Sequence, residues 1–98
     1  MSKTSVIRYQ TTPEAAAENR RLIEAVFAQL AERAPSGLRY TALQLEDGVS
    51  FVHVVTVDAD TDPLPGLPAF ADFRRDAADR FAVSPATDGA AVIGRYDG

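Results

Sequence analysis

Leu38 to Val57 reads L-R-Y-T-A-L-Q-L-E-D-G-V-S-F-V-H-V-V-T-V, and this stretch decides the fold. Two runs rich in β-branched and aromatic residues flank Asp47-Gly48, a dipeptide that tolerates positive φ and predicts a two-residue type I′ hairpin turn. With Asp47 and Gly48 as the loop, Leu45 opposes Ser50, Leu43 opposes Val52 and Thr41 opposes Val54 on one face. Gln44 opposes Phe51, Ala42 opposes His53 and Tyr40 opposes Val55 on the other. Both faces carry apolar side chains, so both need covering.

Working outward, Thr4 to Gln10 is a β-type run containing Val6, Ile7 and Tyr9. Thr12 is placed to cap a helix, Pro13 suits its first position, and Glu14 faces the positive end of the dipole. The spacing predicts a helix from Pro13 to Arg33 with Leu22, Ile23, Val26, Phe27 and Leu30 along one face, and Asn19 one turn earlier on the same stripe. Arg20–Glu24 and Gln29–Arg33 fall at i,i+4 on its outer surface. Pro35-Ser36-Gly37 ends it.

Asp58 to Gly66 is a loop by composition. A second helix is predicted over Pro68 to about Ala82, burying Phe70, Phe73, Ala77 and Phe81, with Arg75–Asp79 and Asp76–Arg80 as surface pairs. Val83 to Gly89 reads as a connection and Ala91 to Tyr96 as the last strand. The order is then βαββαβ. Two right-handed crossovers around a central hairpin predict an α+β, ferredoxin-like fold, a four-stranded antiparallel sheet with both helices on one face. The Tyr40/His53 side is assigned to the helices. The Leu43/Leu45/Val52/Val54 side is left open, and its remedy is a homodimer joined sheet to sheet about a twofold axis.

The 98 residues are expected to make a single domain, 1–98, whose small core welcomes added burial from a partner. With no cysteine there is no disulfide framework or thiolate site. The N-terminal residues lack the apolar run of a secretory signal, and no stretch has the ~20 apolar residues that span a bilayer, so the chain reads as cytoplasmic with no membrane partner. A net charge of −4 argues against nucleic acid, whose phosphates need clustered cations.

The βαββαβ order, the long first helix and the doubly apolar sheet resemble the dimeric α+β barrel proteins, which include the antibiotic-biosynthesis-monooxygenase-like domains. The resemblance implies a dimer with a small pocket between sheet and helices in each protomer. Members of that group oxidise aromatic polyketides without a cofactor, degrade haem or isomerise lactones. An Asn-Trp-His constellation serves some of the oxygenases. This chain has no tryptophan, so that constellation does not transfer.

Among individual residues, His53 is the only histidine. A group titrating near neutral pH beside Tyr40 has the makings of an acid/base pair, and a histidine can also ligate haem iron. The bland alternative is a sheet histidine held by one hydrogen bond. The polarity of Tyr40, Gln44 and Asn19 predicts partial accessibility for it. Asn19 either reaches a ligand from above the sheet or bonds local backbone. Asp58, Asp60 and Asp62 imitate the opening of a calcium loop, but Pro63 stands at the turn glycine and Ala69 at the bidentate glutamate, so no metal is expected.

The third strand shares a glycine, Phe51 and Val52 with the RNA-recognition signature but lacks its basic residue and its stacking aromatics. No phosphate loop or activated serine is present. Two readings follow. One is a homodimer binding a small hydrophobic or aromatic ligand, with Asn19, Phe27, Gln44 and Phe51 shaping the pocket and no cofactor. The other is a cofactor-independent monooxygenase or isomerase in which His53 and Tyr40 handle protons.

Overall fold

Alternate residues of a strand face alternate sides, so Phe51, His53 and Val55 share one surface. In the computed structural model, which describes residues 2–58 and 62–98, they lie on β3 (Ser50–Asp58). This strand sits between β2 (Leu38–Gln44) and β1 (Ser2–Thr11), and β4 (Phe81–Ala90) closes the far side of β1. The four-stranded sheet runs β2-β3-β1-β4, antiparallel throughout. Helix α1 (Ala16–Arg33), helix α2 (Pro68–Arg74) and the short helix α3 (Ala77–Arg80) complete the order. The fold is α+β and ferredoxin-like.

The hairpin register is the one its residues predict. Tyr40 opposes Val55, Ala42 opposes His53 and Gln44 opposes Phe51. The turn differs. Gly48 donates its N–H to the Leu45 carbonyl at 3.0 Å, which puts Glu46 and Asp47 at the centre, and Gly48 follows with φ +78°. The Asp47 carboxylate accepts from the Ser50 hydroxyl (2.5 Å) and from the backbone N–H groups of Ser50 (2.8 Å) and Val49 (3.0 Å). Those donors, the Ser50 hydroxyl foremost, hold its carboxyl below the usual carboxylate range. A type I′ turn would have forced positive φ on Asp47; this four-residue loop places it on glycine alone.

The α1 stripe falls where the spacing puts it. Asn19, Leu22, Ile23 and Val26 are buried. Val26 packs with Leu64, Leu67 and Ala69, while Ile23 packs with Tyr9 and Phe51. Leu64 comes from the end of the segment read as a loop and Leu67 follows it; a 3-10 turn, Leu64–Gly66, folds both into the core. Asp60, part of the calcium-loop comparison, lies outside the described residues.

Several expectations are corrected. Pro13–Ala15 is a 3-10 turn rather than the first turn of α1, and the Thr12 side chain makes no capping bond. Its carbonyl accepts the Ala15 N–H instead. Gln29 and Arg33 do not pair with each other. The Gln29 carbonyl oxygen accepts the Ala69 N–H at 2.9 Å and Arg33 donates to the Gly66 carbonyl, so both tie α1 to the start of α2. Arg20 does pair with Glu24.

The second helix does not run to Ala82. It stops at Arg74, Arg75 turns extended, and Asp76 takes the left-handed conformation at φ 59°. After the brief α3, Phe81 already begins β4. Arg75 pairs with Asp72 rather than Asp79, and Arg80 points inward rather than to Asp76.

The last strand is Phe81–Ala90, and Ala91 to Gly98 carries no regular structure. Ser84-Pro85 reads as loop punctuation. Here it sits in an edge strand at a shift of register, between the pairs Gln10–Val83 and Arg8–Ala86, where the missing proline N–H removes no ladder bond. Val92, Ile93 and Tyr96, which gave the tail its strand pattern, are exposed.

A side chain at residue 48 would meet nothing within 4 Å, so substitution there tests backbone strain alone. Gly48→Val is expected to destabilise the fold by more than about 1 kcal/mol in chemical denaturation, through the left-handed φ. Unchanged stability would contradict this turn geometry.

Candidate functional site

The sheet face under the helices carries three polar rings among apolar ones. Tyr9 opposes Phe51 across β1 and β3, and His53 opposes Ala42, with Tyr40 on β2 diagonal to it. The rings pack closely: Tyr9 to Phe51 at 5.6 Å, Tyr40 to His53 at 5.7 Å, His53 to Phe73 at 5.8 Å and Phe27 to Tyr40 at 4.8 Å between centroids.

Burying polar atoms here requires partners, and each finds one. Both nitrogens of His53 are bonded, Nε2 to the Tyr9 hydroxyl at 2.8 Å and Nδ1 to the Tyr40 hydroxyl at 2.6 Å. Asn19 Nδ2 donates to the Tyr9 hydroxyl at 2.9 Å, and Arg80 Nε donates to Asn19 Oδ1 at 3.1 Å. Arg80 Nη1 and Nη2 donate to the carbonyls of Arg75 (3.2 Å) and Phe73 (2.6 Å), so its guanidinium closes the C-terminal end of α2.

His53 is 3% exposed, not partly accessible as its polar neighbours suggest. Those neighbours are spent on one another, and the network seals the ring. Desolvation lowers the His53 pKa to about 4, so it is neutral at pH 7. Burial raises Tyr9 to about 12, against smaller opposing effects of the Asn19 bond and the Arg80 charge. Burial, with a smaller contribution from Tyr9, pushes Tyr40 well above the ordinary phenol value.

Beside this network a cleft of about 640 Å³ opens between α1 and the hairpin. Ile23, Phe27, Tyr40, Ala42 and Phe51 form part of its lining, with Arg20, Glu24 and Gln44 among its polar residues. The expected site residues are therefore divided. Tyr40, Phe27 and Gln44 border the cleft, and Phe51, 1% exposed, lies in the core at its base. Asn19 and His53 are buried, Asn19 at 0% exposure and joined to other side chains rather than to local backbone. Gln44 is exposed, and its side chain donates to the Gly48 carbonyl.

Two members escaped the sequence reading. Tyr9 could have been found by alternation, since Ile7 and Tyr9 share a face, but the β1–β3 register was not legible. Arg80 carried a misleading signal, the i,i+4 spacing to Asp76. Among the described residues no group of three or more His, Cys, Asp or Glu could hold a metal, and no helix is long and apolar enough to cross a membrane.

The fold is similar to that of solved antibiotic-biosynthesis-monooxygenase-like proteins. Among solved structures, Rv0793 from Mycobacterium tuberculosis matches with a TM-score of 0.74 at 20% identity, over 99% of this chain and all of that one. A candidate antibiotic biosynthesis monooxygenase from Nitrosomonas europaea matches at 0.74 and 15% identity, over 94% of this chain and 90% of the other. A mutant of SnoaB, a cofactor-independent oxygenase from Streptomyces nogalater, matches at 0.67 and 19% identity, over 96% and 95%. Identities this low show a shared fold. No family model matches the chain, and no curated protein is similar to it in sequence.

The His53 shift has a consequence for stability. Its folded pKa of about 4 lies below the unfolded value of 6.5, so between them the unfolded chain binds the extra proton. Stability is full above pH 6.5 and falls as pH drops toward 4, by an amount on the order of 3 kcal/mol from this residue. Denaturation midpoints of the wild type and His53→Phe across pH 4–7 should show a steeper acid loss in the wild type. Parallel profiles would contradict a buried neutral histidine.

Proposed function

We propose that the chain is a cytoplasmic homodimer that binds a small planar aromatic ligand in the cleft between α1 and the β2–β3 hairpin. The observation that carries this reading is the division of the site. The half-buried Phe27 and Ala42 border open space, with the core residues Phe51 and Ile23 behind them, whereas the strongest acid/base candidate, His53, is buried and bonded to the Tyr40 hydroxyl. A cleft with an aromatic wall and a rim of polar side chains suits binding, and a neutral, fully bonded imidazole is poorly placed to exchange protons with a ligand.

The dimer is supported by the uncovered sheet face. Leu43 and Leu45 are 48% and 43% exposed, and half-buried Val6, Val52 and Val54 continue the patch. The Ala91–Asp97 tail stands beside this face without filling it. A space of about 1360 Å³ is bounded by Thr4, Thr41, Val54 and Thr56 on the sheet and by Val92 and Arg95 on the tail. A second sheet brought against the patch would remove its apolar area from water.

A second reading, a cofactor-independent monooxygenase or isomerase, draws on one observation. The 2.6 Å bond between Tyr40 and His53 couples a cleft-lining hydroxyl to a titratable ring, on a fold shared with SnoaB. Tyr40 would then be the group meeting substrate.

Sedimentation velocity at micromolar protein with fluorene, followed by protein absorbance and fluorene fluorescence, tests the first reading. The expected boundary has twice the mass of one chain and carries the fluorene, and Phe27→Ala weakens that binding at least about five-fold through the lost aromatic contact. A monomer, or a boundary free of fluorene, would overturn it.

A further inference from the structure

Neither reading above uses Arg80, yet it is 7% exposed, and among the described residues it makes no ion pair. A guanidinium cannot deprotonate and has only donors. Its Nε therefore requires an acceptor at Asn19, which fixes the amide with Oδ1 toward Arg80 and Nδ2 toward Tyr9. The Tyr9 oxygen accepts that amide hydrogen, so its own proton goes to the remaining partner, His53 Nε2. A neutral ring whose Nε2 accepts must carry its proton on Nδ1. Nδ1–H then donates to the Tyr40 oxygen.

The reverse arrangement, with Nε2–H donating to Tyr9, would strand the Tyr9 proton. Tyr9 is 4% exposed, while Tyr40 is only half-buried. Tyr9 lies among Asn19, Phe51 and Phe81, whereas Tyr40 borders the cleft, so a proton stranded at Tyr9 could reach no ligand there and the direction set by Arg80 is favoured. At the end of the series the Tyr40 proton has no protein acceptor among the described residues, and Tyr40 is the member that lines the cleft.

We propose that Arg80 is a positioning residue that orients the whole series Arg80–Asn19–Tyr9–His53–Tyr40 outward. It makes Tyr40 an obligate hydrogen-bond donor and fits the cleft for an aromatic ligand bearing a carbonyl or comparable acceptor oxygen. The ligand class rests on the cleft reading above; the direction of the series does not. A polarised donor at the end of such a series binds a neutral carbonyl or an oxyanion, and it rejects a ligand that offers only a donor at that place.

The sole histidine makes the direction measurable. In protein labelled with 15N-histidine, long-range 1H–15N spectra at pH 7 are expected to show Nδ1 protonated and Nε2 as the unprotonated nitrogen. The opposite tautomer would overturn the proposal whatever the cleft binds. For the ligand class, 9-fluorenone and fluorene differ only at the carbonyl. The wild type is expected to prefer 9-fluorenone about five- to ten-fold, the range of one net hydrogen bond. Tyr40→Phe keeps the ring, removes the donor and should bring the two affinities together.

Arg80→Met should mix the His53 tautomers and reduce the same preference. If that variant does not fold, the wild-type tautomer and Tyr40→Phe decide. Equal wild-type affinities, or a preference that survives Tyr40→Phe, would overturn the assignment of Tyr40. Failure of both probes to bind would instead overturn the cleft reading, leaving the tautomer to judge the series.

Discussion

A positive charge is buried at Arg80 with carbonyl and amide oxygens rather than a carboxylate around it, and the rest of the site depends on how that charge is satisfied. Removing an ion from water carries a large penalty unless every donor finds an oxygen. Three nitrogens of the guanidinium do so, on Asn19, Arg75 and Phe73, and its Cζ lies 5.2 Å from the ring centroid of Phe73 and 6.0 Å from that of Phe81. The break at Arg75 and Asp76 allows this. A helix continued through those residues would keep the Phe73 and Arg75 carbonyls in its own ladder and deny them to Arg80. The left-handed Asp76 is a local strain offset by what the turn brings inward.

The same contacts explain why the site has two zones. Asn19 reaches Arg80 only because it sits on the buried stripe of α1, and having accepted from Arg80 it donates to Tyr9. Tyr9 and Tyr40 then occupy both His53 nitrogens. The polar groups that looked available for a ligand are consumed internally, except at the Tyr40 end. What the cleft offers is apolar surface chiefly from Phe27 and Ala42, a polar rim from Arg20, Glu24 and Gln44, and Tyr40, whose hydroxyl is backed by a hydrogen-bonded series. The likeness to solved structures is one of fold, and a fold does not fix a chemistry, so it is the site that must carry the functional argument.

Much of this was legible in the sequence, for identifiable reasons. The hairpin register followed from Asp47-Gly48 and strict alternation, and the sides of Phe51, His53 and Val55 followed from the register. The α1 stripe followed from its 3.6-residue period. The turn type was not legible, because it depends on Asp47 capturing Ser50 and Val49. The second helix was over-extended because Phe70, Phe73, Ala77 and Phe81 keep helical spacing, while the break is enforced by tertiary bonds to Arg80 that no local pattern records. The last strand was misplaced because Ser84-Pro85 looks like a turn and Val92-Ile93 like a strand. Edge position and the register shift overrode local propensity. Arg80 was invisible for a related reason: with Asp76 at i−4, its sequence environment is that of an ordinary surface pair.

The central claim is that Asn19 joins a buried cation to the tyrosine–histidine cluster and that the fold relies on that junction. Asn19→Leu tests it most directly, since leucine has similar size and suits the apolar stripe on which residue 19 lies. Were Asn19 merely a tolerated polar residue, the substitution would leave stability unchanged or raise it. A loss of more than about 2 kcal/mol in chemical denaturation is expected, because Arg80 Nε and the Tyr9 hydroxyl each lose a buried partner. Stability equal to or above the wild type would contradict it.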